Sequence, residues 1–132
     1  MAVLEFKLAE KKEGRILAVC AGDIPGAAKK DIGQGHLTRF LGLNGDADAL
    51  QGHLYLLAES QFLAQKALKP DLTYGSLGEN LVVSLEIAAF GPGARLRSGD
   101  ALIELLEDLS PLYLAKVVLN GIVTVGDQIY LE

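Results

Sequence analysis

The sequence predicts a mostly β protein, a closed or nearly closed barrel with one main α-helix over about residues 58–69. Three observations lead there. Short apolar or alternating runs recur along the chain, each broken by Gly, Pro or Asp. A single stretch is built of helix formers without internal Gly or Pro. Finally, the 132 residues are 50% hydrophobic and 22% charged, which suits one folded domain over 1–132 with one substantial core. Aromatic residues are 6% of the chain and tryptophan is absent, so that core is aliphatic.

In chain order, residues 3–9 alternate at period two (Leu4, Phe6 and Leu8 against Glu5 and Lys7) and read as a half-buried strand. Lys11-Lys12-Glu13-Gly14 is turn-like, and 15–21 is a more apolar strand able to pair with the first as a hairpin, with Cys20 inside it. Gly22, Pro25, Gly26, Gly33 and Gly35 make 22–36 a loop that changes direction more than once. Alternation from His36 to Leu41 predicts a short strand running into the Gly42–Gly45 turn. The helix follows. Leu63 with Ala67 and Ala64 with Leu68 fall at helical spacing, Glu59 and the pair Lys66 and Lys69 suit the two ends of the dipole, and Pro70 stops it. Short strands return at 80–85, 94–97, 101–107, 115–119 and 127–131.

The formal charge of −5 argues against nucleic acid or an anionic membrane as the main partner, since phosphate binding needs clustered Lys and Arg. The Lys11-Lys12 and Lys29-Lys30 pairs do not reverse that. No run approaches the apolar length of a membrane span, and the N-terminus lacks the continuous apolar segment of a signal peptide. Cys20 is the one cysteine, which excludes an intrachain disulfide and makes a reducing cytoplasm the natural setting. In an aliphatic strand it reads as a small buried hydrophobe. His36 and His53 lack a third ligand at a recognisable spacing, so no metal site is expected. Gly33-Gln34-Gly35 is short of a dinucleotide fingerprint, and Ser76 is not in a nucleophile elbow. Glu104, Glu107 and Asp108 have no evident histidine partner, so no catalytic residue is assigned.

Glycines and apolar runs flank Glu79-Asn80. A carboxylate and an amide at the mouth of a buried strand have two readings: tying loop amides together, or facing a ligand. Arg95 and Arg97, two apart, share one face of their strand, either clamping an anion or lying solvated.

Gly75-Ser76-Leu77-Gly78-Glu79-Asn80-Leu81, the run Gly93-Ala94-Arg95-Leu96-Arg97-Ser98-Gly99-Asp100-Ala101 and the terminal Val125-Gly126-Asp127-Gln128-Ile129 occur in an order that resembles the MOSC domain, the C-terminal domain of molybdenum cofactor sulfurases. Upstream, Gly14–Val19 resembles that family's opening strand, and Gly42-Leu43-Asn44-Gly45-Asp46 its Gly-Leu-x-Gly-Asp turn. Gln51-Gly52-His53, with Leu56-Leu57 after it, resembles the family's His-containing loop and the strand leading into a helix. The resemblance implies a MOSC-like barrel that binds molybdenum cofactor (molybdopterin) or a related pterin or sulfur-carrier species, through Gly78, Glu79, Asn80, His53 and Arg95. It also implies a molybdenum enzyme or a cofactor-biosynthesis protein as partner. The alternative is a non-catalytic MOSC-like scaffold or interaction module.

Two departures bear on chemistry. In the family's Pro-Cys-Tyr type segment this chain reads Pro111-Leu112-Tyr113, and an alkyl side chain can neither attack sulfur nor ligate a soft metal. Cysteine-based sulfur transfer is therefore not expected. After Gly45, where relatives carry basic or histidine residues, stands Asp46-Ala47-Asp48-Ala49-Leu50, whose carboxylates would repel a phosphate.

Overall fold

A computed structural model of the protein describes residues 12–132. The expected strand over 3–9, and its hairpin with 15–21, lie outside the described residues. The strands are β1 (Glu13–Ala21), β2 (Lys30–Asp31), β3 (Gln34–Thr38), β4 (Gly42–Leu43), β5 (His53–Ala58), β6 (Leu81–Val83), β7 (Arg95–Ser98), β8 (Ala101–Asp108), β9 (Tyr113–Leu119), β10 (Gly121–Thr124) and β11 (Gln128–Leu131). Among the described residues the one α-helix, α1, spans Glu59–Leu68, and a short 3-10 turn covers Ile87–Ala89.

Eight strands form one sheet in the order β11-β7-β8-β9-β5-β6-β1-β2, and pairing of β11 with β1 closes it into a barrel of seven, with β2 hanging from β1. An odd ring cannot be antiparallel throughout, so one neighbouring pair must be parallel. That pair is β5 and β6. Parallel neighbours need a long crossover, which α1 and the loop after it supply. The one strong helix of the sequence thus stands where barrel closure demands it.

Inside the barrel lie Ile16, Leu54, Leu56, Leu81, Leu105 and Ile129 among others. The space left there is about 10 Å³, walled by residues including Leu37, Leu96 and Val123, at most the size of a single water. A ligand must therefore bind outside. A register shift between Ile16 and Ala18 bulges β1, so Ile16 and Val19 point inward while Ala18 and Cys20 face outward. Those outward residues join Leu57, Val82, Leu72 and Phe62 of α1 in a second apolar cluster beneath the helix.

β3, β4 and β10 form a separate three-stranded sheet whose Leu37, Leu43 and Val123 enter the barrel core. The boundaries here differ from the sequence reading. The strand expected over 36–41 begins two residues earlier and ends at Thr38, because Thr38 Oγ1 accepts the Leu41 N–H (3.1 Å) and Asn120 Oδ1 accepts that of Arg39 (2.8 Å), turning the chain. Residues 22–36 are likewise not wholly loop. Gly35 belongs to β3, paired with Val123 of β10, and a Cβ there would press on the Leu43 and Val19 side chains. No helix among the described residues is long and apolar enough to cross a membrane.

Candidate functional site

The loop from α1 to β6 folds onto its own carboxylate. Glu79 is 0% exposed, and its two oxygens accept the N–H groups of Gly75 (2.9 Å) and Leu77 (3.1 Å). Gly75 takes a φ of 94°, and a Cβ there would strike the Lys29 carbonyl, so only glycine lets the loop lie this close. Asn80 extends the barrel ladder just ahead of β6. Its Oδ1 accepts the Tyr55 N–H (3.0 Å), and its Nδ2 donates to the Cys20 carbonyl (3.2 Å) and to Asp46 Oδ2 (3.1 Å). One side chain therefore ties β1, β5 and the Gly45-Asp46 turn together.

Asp46 is closed in the same way, with Oδ1 accepting the Gly22 N–H (3.0 Å) and Oδ2 lying 3.3 Å from Lys29 Nζ. Both side chains of that ion pair are 2% exposed. The Lys29 ammonium also donates to the Gly78 carbonyl (2.8 Å) and stands 3.4 Å from Asp48 Oδ2, so one cation is paired with two carboxylates. Around Lys29 the loops at 22–29, 46–48 and 75–80 are fastened to one another.

Beside this knot opens a cleft of about 410 Å³, lined by Lys29, Asp48, Leu50, Tyr55, Gly78 and Leu112 among others. Leu50 and Leu112 supply apolar wall. Lys29 Nζ sits 5.7 Å from the Tyr55 ring centroid, within cation–π range. The Asp48 side chain is 26% exposed, and its oxygens accept the Gly26 N–H (2.9 and 3.2 Å). The arrangement can hold a small, largely apolar or aromatic group and offer it a carboxylate.

Of the residues singled out in the sequence, Gly78 lines the cleft, while Glu79 and Asn80 are buried within the knot. His53 and Arg95 lie elsewhere, at the two ends of a cross-strand row that runs His53–Lys116–Glu104–Arg95 over β5, β9, β8 and β7. Arg95 Nε bonds Glu104 Oε1 at 3.0 Å, and Lys116 Nζ approaches the other oxygen at 3.8 Å. His36 is exposed on β3 opposite Ile122. Cys20 is fully buried; burial, reinforced by the Glu79 and Asp31 charges and opposed by Lys29, pushes its thiol up to about 12. Leu112, at the position the resemblance gives to a thiolate, is on the cleft wall. Among the described residues no three of His, Cys, Asp and Glu converge as metal ligands.

Sequence reasoning missed Lys29, Asp48 and Tyr55. Lys29 was legible only as half of a short basic pair, Asp48 only as repulsive charge, and Asp46 as that and as the end of the Gly-Leu-x-Gly-Asp turn. The available signal was the mutual one: a lysine following Ala27-Ala28 in a Gly/Pro-rich loop, and two aspartates two apart in another.

No family model matches the chain, and no curated protein matches it. Solved structures do. A crystal structure of a hypothetical protein superposes with a TM-score of 0.72 at 23% identity, covering 96% of this chain and 71% of the other. YiiM from Geobacillus stearothermophilus, a MOSC-domain protein, superposes with a TM-score of 0.69 at 14% identity, covering 90% of this chain and 75% of the other. With its closed barrel, parallel β5–α1–β6 crossover and these likenesses, the chain has a MOSC-like fold.

Proposed function

We propose that this protein binds the molybdenum cofactor or a related pterin in the cleft beside Lys29, and that it does so without cysteine-based sulfur transfer. One observation carries the reading: the cleft gathers Gly78 of the Gly-Glu-Asn loop and Leu112 of the Pro-Leu-Tyr segment, two pieces distant in sequence that the MOSC resemblance assigns to one site. Glu79 and Asn80 serve this site from behind, by fixing the backbone of its wall. With Leu112 in place of a thiolate, the cleft lining offers no thiol to carry sulfur.

The lining suits one part of such a cofactor. Leu50, Leu112 and Tyr55 would cover a heterocycle, and Asp48, whose inner edge is taken by the Gly26 N–H, would accept from one of its N–H groups. A phosphate finds no comparable partner, since the Lys29 charge is shared between Asp46 and Asp48. The setting would be the cytoplasm, and the partner a molybdenum enzyme or a protein of cofactor biosynthesis. Protein purified from a host that makes the cofactor, then acid-oxidised, is expected to release a fluorescent pterin. Leu112→Trp, which fills the cleft, is expected to release none. Release of no pterin from either protein, or of equal amounts from both, overturns the assignment.

A second reading, a non-catalytic MOSC-like interaction module, is favoured by how fully the fold uses Glu79 and Asn80. Under it, the purified protein carries a protein partner and no pterin.

A further inference from the structure

The β3–β10 ladder turns one face into the barrel core and the other to solvent. Leu37 and Val123 point inward, so by alternation Gln34, His36 and Thr38 of β3 and Ile122 and Thr124 of β10 point outward. None of these outward side chains is a carboxylate, an ammonium or a guanidinium. Ile122, 55% exposed, stands opposite His36 near the middle of the face. At one end the turn after β3 holds out Phe40, 85% exposed, with Leu41, and the bond from the Arg39 N–H to Asn120 brings Leu119 alongside. At the other end the Val125 N–H donates to the Gly33 carbonyl (2.8 Å), which sets Val125 beside Ile32. Six of the eleven large apolar side chains exposed among the described residues thus lie along this one ladder. Single exposed apolar residues are ordinary, but a gathering of this kind on an uncharged face marks a contact surface.

We infer that this face is where the protein meets a second copy of itself, in a reversible two-fold dimer formed by packing one β3–β10 ladder on the other. Charge selects the occupant. The chain carries −5 overall, so two copies repel one another unless they meet where that charge is absent, and the outward row of the ladder is such a place. Its make-up fits as well, with an exposed Phe and branched aliphatic side chains at the contact and Arg39 at its margin, whereas Asp, Glu and Lys are depleted at interface cores. Arg39 also chooses the orientation. A two-fold axis across the strands keeps the two Arg39 side chains at opposite ends of the contact, and an axis along the strands would bring both to one end. The footprint limits the strength. From Ile32 to Phe40 the ladder reaches at most about 26 Å, and its two strands with their side chains about 15 Å across, so the contact lies at or below the roughly 800 Å² per partner of a standard interface. The dimer therefore dissociates in the micromolar range or above. It shares no residue with the cleft lining, and so it stands apart from the proposed ligand.

The experiment is sedimentation of the full chain over a concentration series from about 1 μM to 1 mM, the range in which a contact of this size dissociates. The parent is expected to pass from the mass of one chain to that of two. Ile122→Glu sets like charges at the centre of the contact and is expected to weaken the dimer about tenfold or more. Phe40→Ser, at a side chain that the fold leaves 85% exposed, is expected to weaken it as well while melting like the parent. Leu63→Glu is the control, because Leu63 and Leu68 are the exposed large apolar side chains of α1, and it is expected to leave the dimer unchanged. A parent that stays monomeric throughout overturns the inference, and so does a mass that grows past two chains, since a two-fold contact closes. A dimer that survives both Ile122→Glu and Phe40→Ser, or that Leu63→Glu abolishes, also overturns it, because the contact then lies elsewhere. Were Ile122→Glu to unfold, Phe40→Ser alone decides.

Discussion

The buried knot and the open cleft share Lys29 and Gly78 yet use their polar groups in opposite ways. In the knot, the oxygens and amides of Glu79, Asn80 and Asp46 meet partners within the protein, and no buried side-chain N or O among the described residues lacks one. In the cleft, Asp48 is partly solvated and Leu50 is 61% exposed. Buried polar groups are costly unless matched, so those the fold has closed on itself stabilise it, while those left open are available to a ligand. Several of the residues that carry the family resemblance fall on the closed side, although Gly78 also lines the cleft. Gly45-Asp46 and Gly78-Glu79-Asn80 are bonded to each other, and the Asp127 carboxylate of Val-Gly-Asp accepts the Thr124 N–H (2.9 Å) to hold a turn. In this chain, then, these segments hold the barrel and its loops together.

The sharpest way to break the knot is Lys29→Met. It leaves Asp46, 2% exposed, without its cation, and removing one partner of a buried ion pair costs about 3–5 kcal/mol. Chemical denaturation is expected to show a loss of that order. Adding Asp46→Asn removes the stranded charge and should restore a substantial part of it. A single variant as stable as the parent would mean that the loops are held by their backbone bonds and the knot is not organised around Lys29.

Asn80→Ala comes next. It orphans the Tyr55 N–H and the Cys20 carbonyl at the point where β6 joins β1 and β5, and a buried unsatisfied group costs roughly 1–3 kcal/mol. Stability should fall by that amount while a ligand added in excess still binds the folded fraction. Weakened binding in a variant that melts normally would instead move Asn80 from the knot into the site.

How much of this was legible in the sequence divides along the same line. Local signals sufficed for the barrel: helix formers ending at Pro70 gave α1, observed at Glu59–Leu68, and alternation gave β7, β8 and β11 to within a residue or so. β10 was missed, because a four-residue strand beginning at Gly121 shows little periodicity and is defined by pairing with β3, more than eighty residues earlier. The site was harder to read for the same reason. Lys29, Asp48, Tyr55 and Leu112 meet only through tertiary closure, and nothing local distinguishes Asp46, which is sealed, from Asp48, which is open.

The smallest change in stability, and the most direct comparison of the two regions, comes from placing a thiol in each. Cys20 already stands against the knot, its backbone bonded to Asn80. Its thiol is raised from 9.0 to about 12, chiefly by burial, so at neutral pH it is neutral and shielded, and a thiol reagent should label the native protein only as fast as it opens. The same shift fixes a pH dependence. Between pH 9 and about 12 the unfolded thiol has lost its proton and the folded one has kept it, so the unfolded state binds fewer protons and stability declines as pH rises. Below pH 9 Cys20 contributes no slope, and in Cys20→Ala the decline attributable to it disappears. Leu112→Cys places the second thiol on the cleft wall, where the lost alkyl contact costs about 1 kcal/mol because the site is only half-buried. That thiol should label rapidly at neutral pH in a Cys20→Ala background, and hydroxymethylpterin should slow it. Labelling of Leu112→Cys as slow as that of Cys20 would show that the cleft is closed in solution, and the division between a sealed knot and an open cleft would then be wrong.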